Sequence, residues 1–70
     1  MAGNRMMRWF EDSHLPEDLR EVTGPIRGLA EAMDQLLPES AEKTAGLRKL
    51  VEAKDCLVRS RIESRETSGP

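Results

Sequence analysis

LPEDLREVTGPIRGLAEAMDQLL, residues 15–37, is the stretch whose reading decides the fold. Its apolar residues Leu15, Leu19, Val22, Ile26, Leu29, Met33 and Leu36 advance in alternating steps of four and three, which places them on one side of a helix. Pro16 suits a first helical position, and Glu17 and Asp18 stand beside the positive end of the helix dipole. Gly24-Pro25 works against a single rod, because proline has no backbone donor and disfavours helix in the residue before it. A kink or break is therefore expected there. The apolar phase survives it, so a short helix from Pro16 to Thr23 should lead into a longer one from Pro25 to Leu37.

Leu37-Pro38-Glu39-Ser40 reads as a tight turn, with Ser40 placed to cap the helix that follows. That second helix is expected from Ala41 to Ile62, with Leu47, Leu50, Val51, Leu57, Val58 and Ile62 clustered on one face. The short connection makes the two helices antiparallel neighbours. The chain thus reads as all-α: an N-terminal arm over residues 1–14, a helical hairpin over 15–62 and a polar, aperiodic tail over 63–70 expected to be disordered. There is no repeat, low-complexity tract or strand signal.

A hairpin of 70 residues is too small to bury both of its helical faces well. Domains of this size remove only about 60% of their unfolded surface from water, and small chains make up the difference with disulfides, a metal or partner subunits. Cys56 is the single cysteine and His14 the single histidine, so neither a disulfide nor a Cys/His zinc site can form within one chain. Assembly into a homo-oligomer remains. The lone thiol fits a reducing cytoplasm, and the first residues lack the apolar run of a signal peptide or membrane span. A net charge of −2 with 34% charged residues gives no overall field toward DNA or an anionic membrane.

Local charge is more telling. At about 100° per residue, Lys54 and Arg61 fall inside the apolar stripe of the second helix. A cation there must snorkel outward, pair with a carboxylate from this or another subunit, or face an anionic ligand. Arg59 stands at the stripe's edge, one turn after Asp55, where an ordinary exposed acid–base pair is the simpler explanation. On the first helix Arg20 and Arg27 share a flank that solvent alone could account for. Trp9 and Phe10 are the only aromatics, and the arm Arg5-Met6-Met7-Arg8-Trp9-Phe10 mixes them with cations. Such an arm either caps the open end of the hairpin or stacks on a flat ligand. A base over an aromatic ring with a guanidinium on the phosphate describes a nucleotide. Catalytic constellations are lacking: there is no Gly-rich phosphate loop after a strand, no metal-ligand spacing, and no nucleophile beside His14. No enzyme activity, metal or cofactor is expected. Ser40 and Thr44 are explained by capping, and Cys56 falls opposite the apolar stripe as an idle thiol.

Taken in order, Arg8-Trp9-Phe10, His14-Leu15-Pro16-Glu17-Asp18-Leu19, Leu37-Pro38-Glu39-Ser40-Ala41-Glu42-Lys43-Thr44, Leu47-Arg48-Lys49-Leu50-Val51-Glu52-Ala53-Lys54-Asp55 and Val58-Arg59 form a pattern over residues 8–62. It resembles the small phage-encoded anti-CBASS proteins, cyclic-oligonucleotide sponges whose helical hairpin is shared with sponges for Thoeris signals. The resemblance implies a homo-oligomer, typically a hexamer, in the cytoplasm of the infected bacterial host. It implies cyclic dinucleotides held between paired protomers, cyclic trinucleotides in separate pockets where three protomers meet, and sequestration of the immune messenger without degradation. By the same resemblance Trp9 or Phe10 is the stacking aromatic and Arg27 the phosphate cation of the dinucleotide site. Arg59 belongs to the trinucleotide site, with Lys54 and Arg61 retained beside it on their helical positions; the adjacent aromatics leave the register of the arm open by one residue.

A second class of function is a helical-hairpin oligomer that regulates a protein partner through the Met6, Met7, Trp9 and Phe10 arm. A small DNA-binding regulator is disfavoured by the acidic balance and the lack of a helix-turn-helix pair.

Overall fold

The computed structural model describes residues 3–67. A 3-10 helix over Arg5–Phe10 precedes two long helices, α1 over Glu17–Leu36 and α2 over Ala41–Thr67. α1 and α2 pack as a hairpin, and the 3-10 segment lies against both. The result is an elongated single layer of 49 × 20 × 15 Å.

α1 begins with Pro16 at its N-cap and the acidic pair Glu17 and Asp18 in its first turn, as the dipole favours. It does not break. Gly24-Pro25 is carried inside one continuous helix of 20 residues, against the expectation of two pieces. Two physical reasons account for this. The clash that proline imposes on its predecessor involves that residue's Cβ, which Gly24 lacks. Pro25 and Glu21 are also both exposed, so water can replace the donor that proline withholds from the Glu21 carbonyl.

The turn follows the sequence reading. The Lys43 amide donates to Ser40 Oγ at 3.0 Å and the Thr44 amide to the Ser40 carbonyl at 3.1 Å, which makes Ser40 the cap of α2. α2 runs five positions beyond Ile62, so residues 63–67 are helical where a disordered tail was expected. Arg65 Nε lies 3.2 Å from the Asp18 carboxylate, and Arg61 Nη1 lies 2.9 Å from Glu21 and 3.1 Å from the Asp18 carbonyl. These ties to the start of α1 hold the extra turn in place. Residues 1, 2 and 68–70 of the expected arm and tail lie outside the described residues.

The core is small and the arm is part of it. Phe10 is 1% exposed and clusters with Met6, Ala30 and Leu47, while Met7, Ile26, Leu50 and Val51 pack around them. Burying a phenylalanine in full contributes about 1.5–3 kcal/mol, so the arm supplies a large share of what holds this hairpin. Of the two alternatives for the arm, Phe10 takes the packing one. Leu57, assigned to the inner face of α2, is instead exposed. At the turn, Lys43 is buried and its ammonium donates to the Asp34 and Leu37 carbonyls, each at 2.8 Å. The last turn of α1 contains no basic residue of its own, and Lys43 supplies the missing charge from α2.

Candidate functional site

Asn4 fixes the arm. Its side-chain oxygen accepts from the Met6 amide at 2.8 Å, its own amide donates to Asp34, and its Nδ2 donates to Glu39 and Thr44. Gly3 lies so near that a Cβ there would collide with the Asp34 carboxylate. Lys43 pairs with Asp34 at 2.9 Å and Glu39 at 2.7 Å within the same cluster. Hydrogen bonding to Lys43 holds both carboxyls below the usual carboxylate range, and Glu39, then Asp34, raise the Lys43 ammonium above its ordinary value. Further along, the buried Asp12 carboxylate accepts from Thr23 Oγ1 at 2.7 Å and from Arg27 Nη1 at 2.5 Å. Sequence periodicity gives no signal for Asn4 or Asp12. The Glu39–Lys43 and Thr23–Arg27 spacings of four are the only trace of these clusters in the chain.

With both ends pinned and Phe10 turned inward, Trp9 is turned outward and is 51% exposed. The Arg8 guanidinium lies 5.0 Å from the centre of its ring. Trp9 borders a groove of about 560 Å³ between the arm and α2. The arm contributes Arg8, Trp9, Glu11 and His14; α2 contributes Lys54, Asp55, Val58 and Arg59, two neighbouring rows spaced four apart. Arg59 is exposed and donates to the Cys56 sulfur at 3.3 Å, a weak partner that leaves its charge unmatched among the described residues. Asp55 does not pair with it; that carboxylate is 3.6 Å from the Lys54 ammonium. Lys54 donates to the Trp9 carbonyl and stands 5.8 Å from the centre of the Phe10 ring, so it clamps the arm to α2. The Ser13 amide, 2.8 Å away, holds Glu11 below the usual carboxylate range.

The residues singled out from sequence therefore separate. Trp9, Lys54 and Arg59 line one groove, although they were assigned to two different ligand sites. Phe10 is buried with no ring face to offer a ligand, whereas the Trp9 ring is half-exposed at the groove. Arg27 is committed to Asp12, with Glu31 at 4.0 Å from its Nε, and is not among the residues that line the groove. Arg61 lies beyond the groove, in its ion pair with Glu21 of the same chain. Sequence reasoning did not assign Arg8, Glu11 or His14 to the site. Their neighbourhood to Trp9 was visible, but not that the arm would fold back alongside Arg59.

The 3-10 segment covers one broad side of the hairpin and leaves the other bare. There Leu29 and Met33 of α1 and Leu37 just after it meet Gly46 and Leu50 of α2 around an apolar depression of about 630 Å³. Leu29 is 49% and Leu36, near the same end, 70% exposed. Among the described residues no cluster of His, Cys, Asp and Glu could hold a metal ion, and no helix is long and apolar enough to cross a membrane. No family model, curated protein or solved structure matches the chain.

Proposed function

We propose that this chain is a non-catalytic sponge that binds cyclic oligonucleotide messengers and withdraws them from a bacterial immune response, acting as a homo-oligomer in the infected cell. One observation carries the reading: an exposed indole, an arginine stacked on it and a second arginine without a carboxylate partner among the described residues border a single groove. An aromatic face takes a base at about 1–3 kcal/mol per stack. A guanidinium takes a phosphate oxygen through charge-assisted bonds of about 1.5–3 kcal/mol. In this reading Trp9 holds the base, Arg59 and Arg8 hold phosphate, and Lys54 acts by anchoring the backbone on which Trp9 is mounted. The dinucleotide and trinucleotide roles proposed for Trp9 and Arg59 then fall to one surface of the protomer.

Assembly follows from the bare side. The face around Leu29, Met33, Leu37 and Leu50 is apolar, and the hairpin buries too little within itself to be robust alone. A second copy covers it in our reading, leaving the grooves free to meet in symmetric sets around a ligand that itself repeats. Of the residues named for the protein-binding alternative, Met6 and Phe10 face inward and Met7 is half-buried, which leaves the arm with Trp9 as its exposed apolar side chain.

The test is direct. The protein is incubated with a panel of cyclic di- and trinucleotides, separated by filtration and heat-denatured. Depletion of a messenger followed by its intact release is the expected result; degraded product refutes sequestration, and no depletion of any member refutes the function.

A further inference from the structure

The groove contains two carboxylates, Glu11 and Asp55, which a site for phosphate alone has no use for. Asp55 is accounted for by the Lys54 ammonium beside it. Glu11 is not matched by a cation in the groove. It accepts the Ser13 amide, stays ionised, and stands two residues from Trp9 on the same wall. An ionised carboxylate only accepts hydrogen bonds. In the proposed site, a base stacked on Trp9 would present its edge to the groove wall that carries Glu11, and the edges differ. Guanine offers two adjacent donors, N1–H and the N2 amine, which match the two oxygens of a carboxylate. Adenine offers one amine beside the N1 lone pair, which faces the carboxylate with like polarity.

We infer that Glu11 is a specificity residue that makes the groove select guanine over adenine in the base stacked on Trp9. The inference rests on the sponge reading and concerns the same site. Arg59 and Arg8 take the phosphate in both cases, so the discrimination falls on the base alone.

Equilibrium dialysis of the full chain against cyclic diguanylate and cyclic diadenylate tests it. The parent protein should prefer cyclic diguanylate by about tenfold or more, the range of a good bidentate pair. Glu11→Gln, of the same shape but presenting one donor and one acceptor, should shrink the preference to within about threefold by weakening guanylate binding. Asp55→Asn should leave the preference intact. Equal binding of both ligands by the parent, or binding of neither, overturns the guanine inference; the sponge reading falls only if no member of the wider panel of cyclic di- and trinucleotides is depleted. A preference that survives Glu11→Gln with normal helicity, or that vanishes in Asp55→Asn instead, shows that Glu11 is not the reader.

Discussion

Trp9 and Phe10 are neighbours in the chain with opposite fates, and replacing each by alanine should separate folding from binding. Phe10 is 1% exposed. Truncating a phenylalanine so placed costs about 3–5 kcal/mol, the lost transfer energy plus the cavity left behind. At about 0.05–0.15 kcal/mol per residue, the whole chain has roughly 3.5–10 kcal/mol of stability to lose. Phe10→Ala should therefore lower the melting temperature by at least about 12 °C, at about 4–8 °C per kcal/mol for a domain of this size, or unfold the protein outright. The Lys54 clamp should fail with it, because its ammonium stands over the same ring. Phe10→Leu, which keeps most of the volume, should cost under about 1.5 kcal/mol and leave a folded protein. Trp9→Ala removes a half-exposed ring and its stacked arginine, worth about 1 kcal/mol or less to folding, yet should weaken nucleotide binding about five- to hundredfold for each lost stack. Circular dichroism melts at one fixed protomer concentration, paired with dialysis, read both effects. Equal destabilisation by the two alanines, or full binding by Trp9→Ala, would refute the inward–outward division on which the site is built.

Four further outcomes are expected. The Asp34 and Glu39 carboxyls titrate below their unfolded values, so the stability they contribute is present above about pH 4 and lost as pH falls through the folded values. Lys43 titrates above its unfolded value, so its share is complete below that value and lost as pH rises through the folded one; urea midpoints should fall at both extremes, and Lys43→Met should flatten the acid limb. Arg27→Ala should act on folding, costing about 1–3 kcal/mol by depriving buried Asp12 of a partner, with binding falling only as the folded fraction falls; an unchanged melt with lost binding would return Arg27 to the ligand. Leu29→Glu with Leu36→Glu should dissociate the proposed oligomer on size exclusion with α-helix retained, and an unaltered elution volume would refute this face as the interface. Arg61→Ala should raise amide exchange in the last turns of α2 by a salt-sensitive amount of about 0.2–1 kcal/mol, the pair with Glu21 being largely solvated.

Most of the frame is written as spacing. The four-and-three steps from Leu15 to Leu36, the Leu-Pro turn and the Ser40 cap depend on residues close in sequence, and local physics fixes them. Gly24-Pro25 misled because the penalty attached to proline assumes a Cβ on its predecessor and a buried carbonyl behind it; Gly24 and exposed Glu21 remove both conditions. The polar end of α2 misled because its helical state is tied to Asp18 and Glu21, forty or more residues earlier in the chain than their partners. The site was legible by residue type and not by grouping. Trp9 and Arg59 were both chosen, but what brings them together is the inward turn of Phe10 and the Lys54 bond to a backbone carbonyl, and no periodicity encodes either.

A molecule 15 Å thin has two outer sides and almost no interior between them. The groove opens on the side that the arm covers and the apolar depression on the other, with little more than the row from Phe10 to Leu47 separating them. A change of side chain on one side thus has few routes by which to disturb the other. On the proposed reading, residues around Trp9 are free to change with the ligand while the apolar face assigned to assembly stays as it was.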